Sequence, residues 1–142
     1  MTMKNLLIIF CFISMAATCQ DKNSQTKDQK ENPCDPDIMC TMEFRIIDLK
    51  VLNESGEVII LEEFYTEIDG EKIEIPEDVY EASSGSYPVA TDGHMKKIKF
   101  EGSNVVFIGL KNNEIVVKHT MIIGKDCCHI QLVEGDQEIV LE

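Results

Sequence analysis

The chain has 142 residues, enough for one domain, with 13 basic against 26 acidic side chains and a formal charge of −13. Such acidity excludes nucleic acid and anionic membrane surfaces as partners, because both repel it. Its plainest reading is a well-hydrated surface.

Residues 1 to 18 read as a signal peptide. Lys4 and the amino group make a weakly positive start, and Leu6 to Ala17 is a 12-residue apolar run. As a helix that run is too short for a bilayer core of about 30 Å. It closes on "AATC", small side chains ahead of Cys19, and so resembles a bacterial lipobox. Two positions depart from that pattern, Ala16 where leucine is usual and Thr18 where glycine, alanine or serine is usual. The expectation is cleavage before Cys19, lipidation of its thiol and anchoring to a membrane; plain secretion is the alternative.

Cysteine arithmetic favours the lipid. Of six cysteines, Cys11 leaves with the signal and Cys19 takes the lipid, leaving four: Cys34, Cys40, Cys127 and Cys128. Plain secretion would leave five and an odd thiol, whereas an even set in an exported chain is a disulfide pattern. Removing Lys4 leaves 12 basic against 26 acidic residues, a formal −14.

Residues 19–39 form a tether. From Gln20 to Asp37 there is no aliphatic or aromatic side chain to offset the entropy of ordering. As random coil it would hold the following domain about 20 to 25 Å from the anchor.

From residue 40 to 142 short β-branched and aromatic runs alternate with turn sequences, among them "NESGE", "DGE", "KNNE" and "EGD". This texture predicts an all-β domain, an antiparallel sandwich of about seven to nine strands. Strands are expected at Thr41 to Leu52, Val58 to Glu67, Lys72 to Ile75, Tyr87 to Thr91, Lys97 to Phe100, Asn104 to Leu110, Glu114 to Ile123, Cys127 to Val133 and Glu138 to Leu141, with a helical turn at Glu77 to Ala82. In the first, Met42, Phe44 and Ile46 share one face while Ile47, Leu49 and Val51 share the other, so a bulge near Ile46 is expected. "VVFIGL" is apolar on both faces and reads as a central strand, and Asn112 and Asn113 suit a two-residue hairpin. His119 falls on an apolar face, where a core or edge histidine is the plain reading.

The stretch "GKDCCHIQLVEG" asks what two adjacent cysteines are for. Strand alternation sends Cys127, His129 and Gln131 one way and Cys128, Ile130 and Leu132 the other. Cys128 then faces the core, as Cys40 does beside Met42 and Phe44, while Cys34 and Cys127 stay outside. Parity therefore favours Cys40 with Cys128 and Cys34 with Cys127, one of three connectivities open to four cysteines. Zinc would need both thiolates to converge, and a redox pair would be expected as "CxxC"; neither pattern is present.

The frames "CTMEFR", "YPVATDGHMKKI" and "GKDCCHIQLVEGDQEIVL" resemble a group of small lipoproteins of Bacteroidota type. Their mature part is similar to the carboxypeptidase regulatory-like, transthyretin-like (prealbumin-like) β-sandwich. The resemblance implies a module without enzymatic activity, and it implies no substrate.

Catalytic motifs do not contradict this. "SSGSYP" lacks the nucleophile-elbow frame, Asp92 and His94 in "TDGHMKK" fall in a turn, and "CDPD" is not a calcium loop. The expectation is an envelope lipoprotein at the outer membrane or cell surface, touching a protein or glycan, with no cofactor and no metal. The alternative is a carrier of a small ligand or cation that uses His94, His119 or His129.

Overall fold

The computed structural model describes residues 33–76 and 85–142. The signal segment, Cys19, the tether as far as residue 32 and the helical turn expected at Glu77 to Ala82 lie outside the described residues.

Among the described residues eight strands form two sheets: β1 (Ile46–Asn53), β2 (Glu63–Ile68), β3 (Glu71–Ile73), β4 (Ser86–Thr91), β5 (Ser103–Lys111), β6 (Glu114–Lys125), β7 (Ile130–Glu134) and β8 (Glu138–Leu141). One sheet has the order β4-β1-β8 and the other β3-β2-β5-β6-β7. The domain is an all-β sandwich. One pairing is parallel, β1 with β8, because the chain leaves β7 and crosses back to the smaller sheet before its end.

Periodicity explains most of the layering. Ile47, Leu49 and Val51 alternate inward along β1, and the register slips between Ile47 and Asp48 where it meets β4. The apolar run of β5 places it at the centre of the larger sheet, with Val105 and Phe107 wholly buried. Asn112 and Asn113 both adopt positive φ, 53° and 60°, so the β5–β6 hairpin closes in two residues. Asp69 and Gly70 do the same between β2 and β3.

Where expected strands are absent, the ladder has run out of partners. β4 ends opposite Ile46, so among the described residues no strand pairs with residues 41–45, and β1 starts five residues later than its hydrophobicity suggests. Cys40, Met42 and Phe44 are consequently exposed, against the expectation that they face the core. Lys97 to Phe100 is a chain of turns that buries Ile98, with Lys97 N–H on the His94 carbonyl and Ile98 N–H on that of Met95. Before β2, the segment from Val58 makes a single bridge to Leu52. Thr91 caps a short 3-10 helix, Asp92–His94, where a turn was expected for Asp92 and His94.

Phe64, Tyr87 and Phe107 form the aromatic centre, with ring centroids 5.2 to 5.9 Å apart. Tyr87 belongs to β4 and the other two to the opposite sheet. Its hydroxyl donates to the Ile59 carbonyl at 2.9 Å and accepts from Leu61 N–H at 2.8 Å, pinning the segment that leads into β2. Replacing Tyr87 by Phe keeps the ring and orphans a buried N–H, so Tyr87→Phe should cost about 1 to 3 kcal/mol in urea denaturation. An unchanged midpoint would show that this contact holds nothing.

Candidate functional site

The turn that carries the paired cysteines is built by Asp126. Its carboxylate accepts from the N–H groups of Cys128 at 2.7 Å and His129 at 2.8 Å, and its own N–H donates to the His129 carbonyl at 2.9 Å. Those two backbone donors, Cys128 first, hold the Asp126 carboxyl below its ordinary pKa. Cys127 and Cys128 thus sit in a turn between β6 and β7 and not on a strand, which begins only at Ile130.

Strand parity does not survive a turn, and both parity-based orientations need correcting. Cys127 and Cys128 are each half-buried, and His129, assigned to solvent by alternation, is 6% exposed. The cysteines still diverge. Cys127 lies at disulfide distance from Cys34 and Cys128 from Cys40, with Cα separations of 5.5 and 5.3 Å. Because Cys40 is exposed, neither bridge lies inside the core.

Each bridge spans a long stretch, 93 and 88 residues. Chain entropy assigns about 4 to 5 kcal/mol to the first to form. With one in place the other closes only a short ring through residues 34 to 40, for which the same relation gives about 2 to 3 kcal/mol. The second bridge therefore does less for global stability, and its role is local: it fixes residues 34–40 against the turn.

Beneath that turn lies a chain of side-chain hydrogen bonds. Asp92, at the start of the 3-10 turn, receives His129 Nδ1 at 2.8 Å and Arg45 N–H at 2.8 Å on one oxygen, and Ile130 N–H at 2.8 Å on the other. Burial works to raise its pKa, but the hydrogen bonds from Arg45, His129 and Ile130 outweigh it and hold the carboxyl below its ordinary value. An ionised carboxylate can only accept, so the facing His129 nitrogen carries the hydrogen. Nε2 is then free to accept, and the Thr41 hydroxyl stands 3.1 Å from it.

Above this network the segment 38–44 lies open. Met39 is 93% exposed, Met42 fully so, Phe44 57% and Ile38 48%. Four apolar side chains within seven residues, held outside the core by covalent and hydrogen-bonded ties, form a displayed strip.

The histidines proposed as a ligand set do not converge. His94 accepts from Thr91 N–H and donates to the Glu74 carbonyl, His119 contacts the Asp136 carbonyl, and His129 is held by Asp92. Among the described residues no group of three or more His, Cys, Asp or Glu side chains is arranged to hold a metal ion. Asp92 and His94, two residues apart in sequence, serve different ends.

Sequence reasoning did not find the Asp92–His129–Thr41 chain. The sign was nonetheless present: Thr41 follows Cys40 and His129 follows Cys128, so pairing those cysteines brings their successors together. Comparison with known proteins finds no matching family model, no similar curated protein and no similar solved structure.

The Asp92 and Asp126 shifts have a stability consequence. Both folded-state values lie below the ordinary 3.8, so their contribution is complete above that value and is lost as pH falls through the folded-state values. The urea midpoint should hold from about pH 7 to about pH 5 and fall steeply below about pH 4. Asp92→Asn should lower the midpoint at neutral pH and make the acid limb shallower. Parallel curves for the two proteins would show that Asp92 is not an acid-sensitive tie.

Proposed function

We propose that the chain is an exported, lipid-anchored contact module of the cell envelope, which presents the strip Ile38, Met39, Met42 and Phe44 to a partner protein. The exposure of those side chains on a loop tied down by two disulfides carries this reading. An unrestrained loop would pay for ordering on contact; this one is ordered beforehand, which favours association. Methionine is a flexible, polarizable contact residue suited to irregular apolar surfaces.

The exported chain is acidic, with a formal charge of −14 once residues 1–18 are removed. The complementary partner has an apolar groove rimmed by lysine or arginine, so that charge steers the encounter and the groove retains it. Protein is favoured over glycan because the strip is aliphatic and thioether with a single ring, and the chain has no tryptophan on which a sugar would stack. Anchoring through Cys19, and the similarity to small lipoproteins of Bacteroidota type with a carboxypeptidase regulatory-like sandwich, belong to the same proposal. The cation-carrier alternative has less support, since each histidine is engaged by a different partner.

Crosslinking in the native envelope tests the contact. A captured protein should depend on the strip, with Met42→Asp combined with Phe44→Asp reducing capture at least tenfold, and it should weaken as salt rises. Equal capture by this variant would overturn the reading. Substituting Cys19 by Ser should move the protein from the membrane fraction to the soluble one, and unchanged retention would dismiss the anchor.

A further inference from the structure

Thr41 and His129 stand next to the two halves of one disulfide. Cys40 and Cys128 have Cα atoms 5.3 Å apart, and the residue after each supplies one side of the 3.1 Å contact between Thr41 Oγ1 and His129 Nε2. Asp92 holds the other ring nitrogen at 2.8 Å and is itself fixed by backbone N–H groups from Arg45 and Ile130. A hydroxyl on an imidazole that is oriented by a carboxylate is the arrangement that activates oxygen nucleophiles in acyl transfer, and it is recognised by geometry rather than by fold.

We propose that Thr41 is a nucleophile toward carboxylic esters, with His129 as its general base and Asp92 as the positioning residue. This goes beyond the contact reading, rests on no part of it and departs from the expectation of a module without enzymatic activity. The burial is ordered as the chemistry requires: His129 and Asp92 lie below the surface and Thr41 is exposed to incoming substrate. Threonine is β-branched and stiff at χ1, which limits the positions its hydroxyl can take. The disulfide covalently sets the distance between nucleophile and base, so little entropy is left to lose at the moment of reaction.

The step balances without an external reagent. Thr41 Oγ1 attacks the ester carbonyl as its proton passes to His129 Nε2, giving a tetrahedral intermediate. The ester C–O bond breaks, and the departing alcohol takes the proton from Nε2, leaving an acyl group on Thr41. Water then gives a proton to Nε2 and attacks the acyl carbonyl; Thr41 leaves and recovers that proton. Ester and water become acid and alcohol. Met42, next to Thr41, and nearby Met39 and Phe44 favour an apolar acyl group, and the acidic body disfavours a substrate carrying its own carboxylate.

The test uses the purified protein with both disulfides intact, a fluorophosphonate probe and p-nitrophenyl butyrate. The probe should add once, on Thr41, as read by intact mass and peptide mapping. Thr41→Val keeps the shape and removes the nucleophilic hydroxyl, and should lose both the label and the turnover that passes through an acyl-Thr41. Thr41→Ser should keep the label. Asp92→Asn, checked for folding by its thermal melt, should lower kcat and leave KM unchanged. Reduction of the Cys40–Cys128 bridge should abolish labelling. An unlabelled protein, a label elsewhere, or equal turnover by wild type and Thr41→Val would overturn the assignment and leave the Thr41–His129–Asp92 chain as a fastening of the loop.

Discussion

A single carboxylate, that of Asp92, ties the paired ends of β1 and β4 to the start of β7 in the other sheet, a link that no β-ladder makes. It receives Arg45 N–H just before β1, Ile130 N–H at the start of β7, and the ring of His129, the residue before Ile130. Arg45 returns the contact, its carbonyl accepting Asp92 N–H. A group accepting three hydrogen bonds in a half-dry site is costly to leave unpaired, so the stretches are held as a unit. The end of the smaller sheet, through β1 and the turn after β4, is thereby tied to the edge strand of the larger one.

The disulfides extend that tie to residues no sheet could capture. Residues 34–44 lack a hydrophobic face that reaches the core, and among the described residues no strand pairs with them. Their position comes from Cys34 and Cys40 on the chain side and from the Asp126-built turn on the other. Adjacent cysteines in a tight turn can each take a different partner because the turn, rather than strand pleat, splays their side chains. Two bridges six residues apart on one arm then fix its direction as well as its position, which a single bridge would leave free to pivot.

Much of the sandwich was legible in the residues. The two-sided apolar run of β5 marked a central strand, Asn112 and Asn113 marked a two-residue hairpin, and the mixed parity around Ile46 marked an irregularity that lies one residue on. These signals are local: periodicity and turn chemistry act over a few residues. The start of β1 was not legible, because Met42 and Phe44 continue a strand-like pattern past the point where the neighbouring strand ends, opposite Ile46. Pattern reports what a segment would do given a partner, and it cannot report that the partner has stopped. The turn at residues 126–129 failed for a related reason: "CCHIQLV" has strand-like alternation, but the Asp126 carboxylate captures the next backbone N–H groups first. The Asp92–His129 contact joins residues 37 apart and depends on that turn, so no local pattern contains it.

The same misfit between pattern and partner explains why this end of the domain is the chemically interesting one. Apolar side chains written for a strand but denied a ladder remain in solvent, which is unfavourable unless something else covers them or uses them. The chain holds them there at the cost of two disulfides and a buried carboxylate, and in doing so places a threonine hydroxyl on an oriented imidazole. Rigid display and preorganised chemistry make the same physical demand, that a loop behave as though it were part of the sheet. In this fold that demand is met by Asp92 beneath the loop and Cys127 and Cys128 at its side, and loosening either would release the apolar strip and the Thr41–His129 contact together.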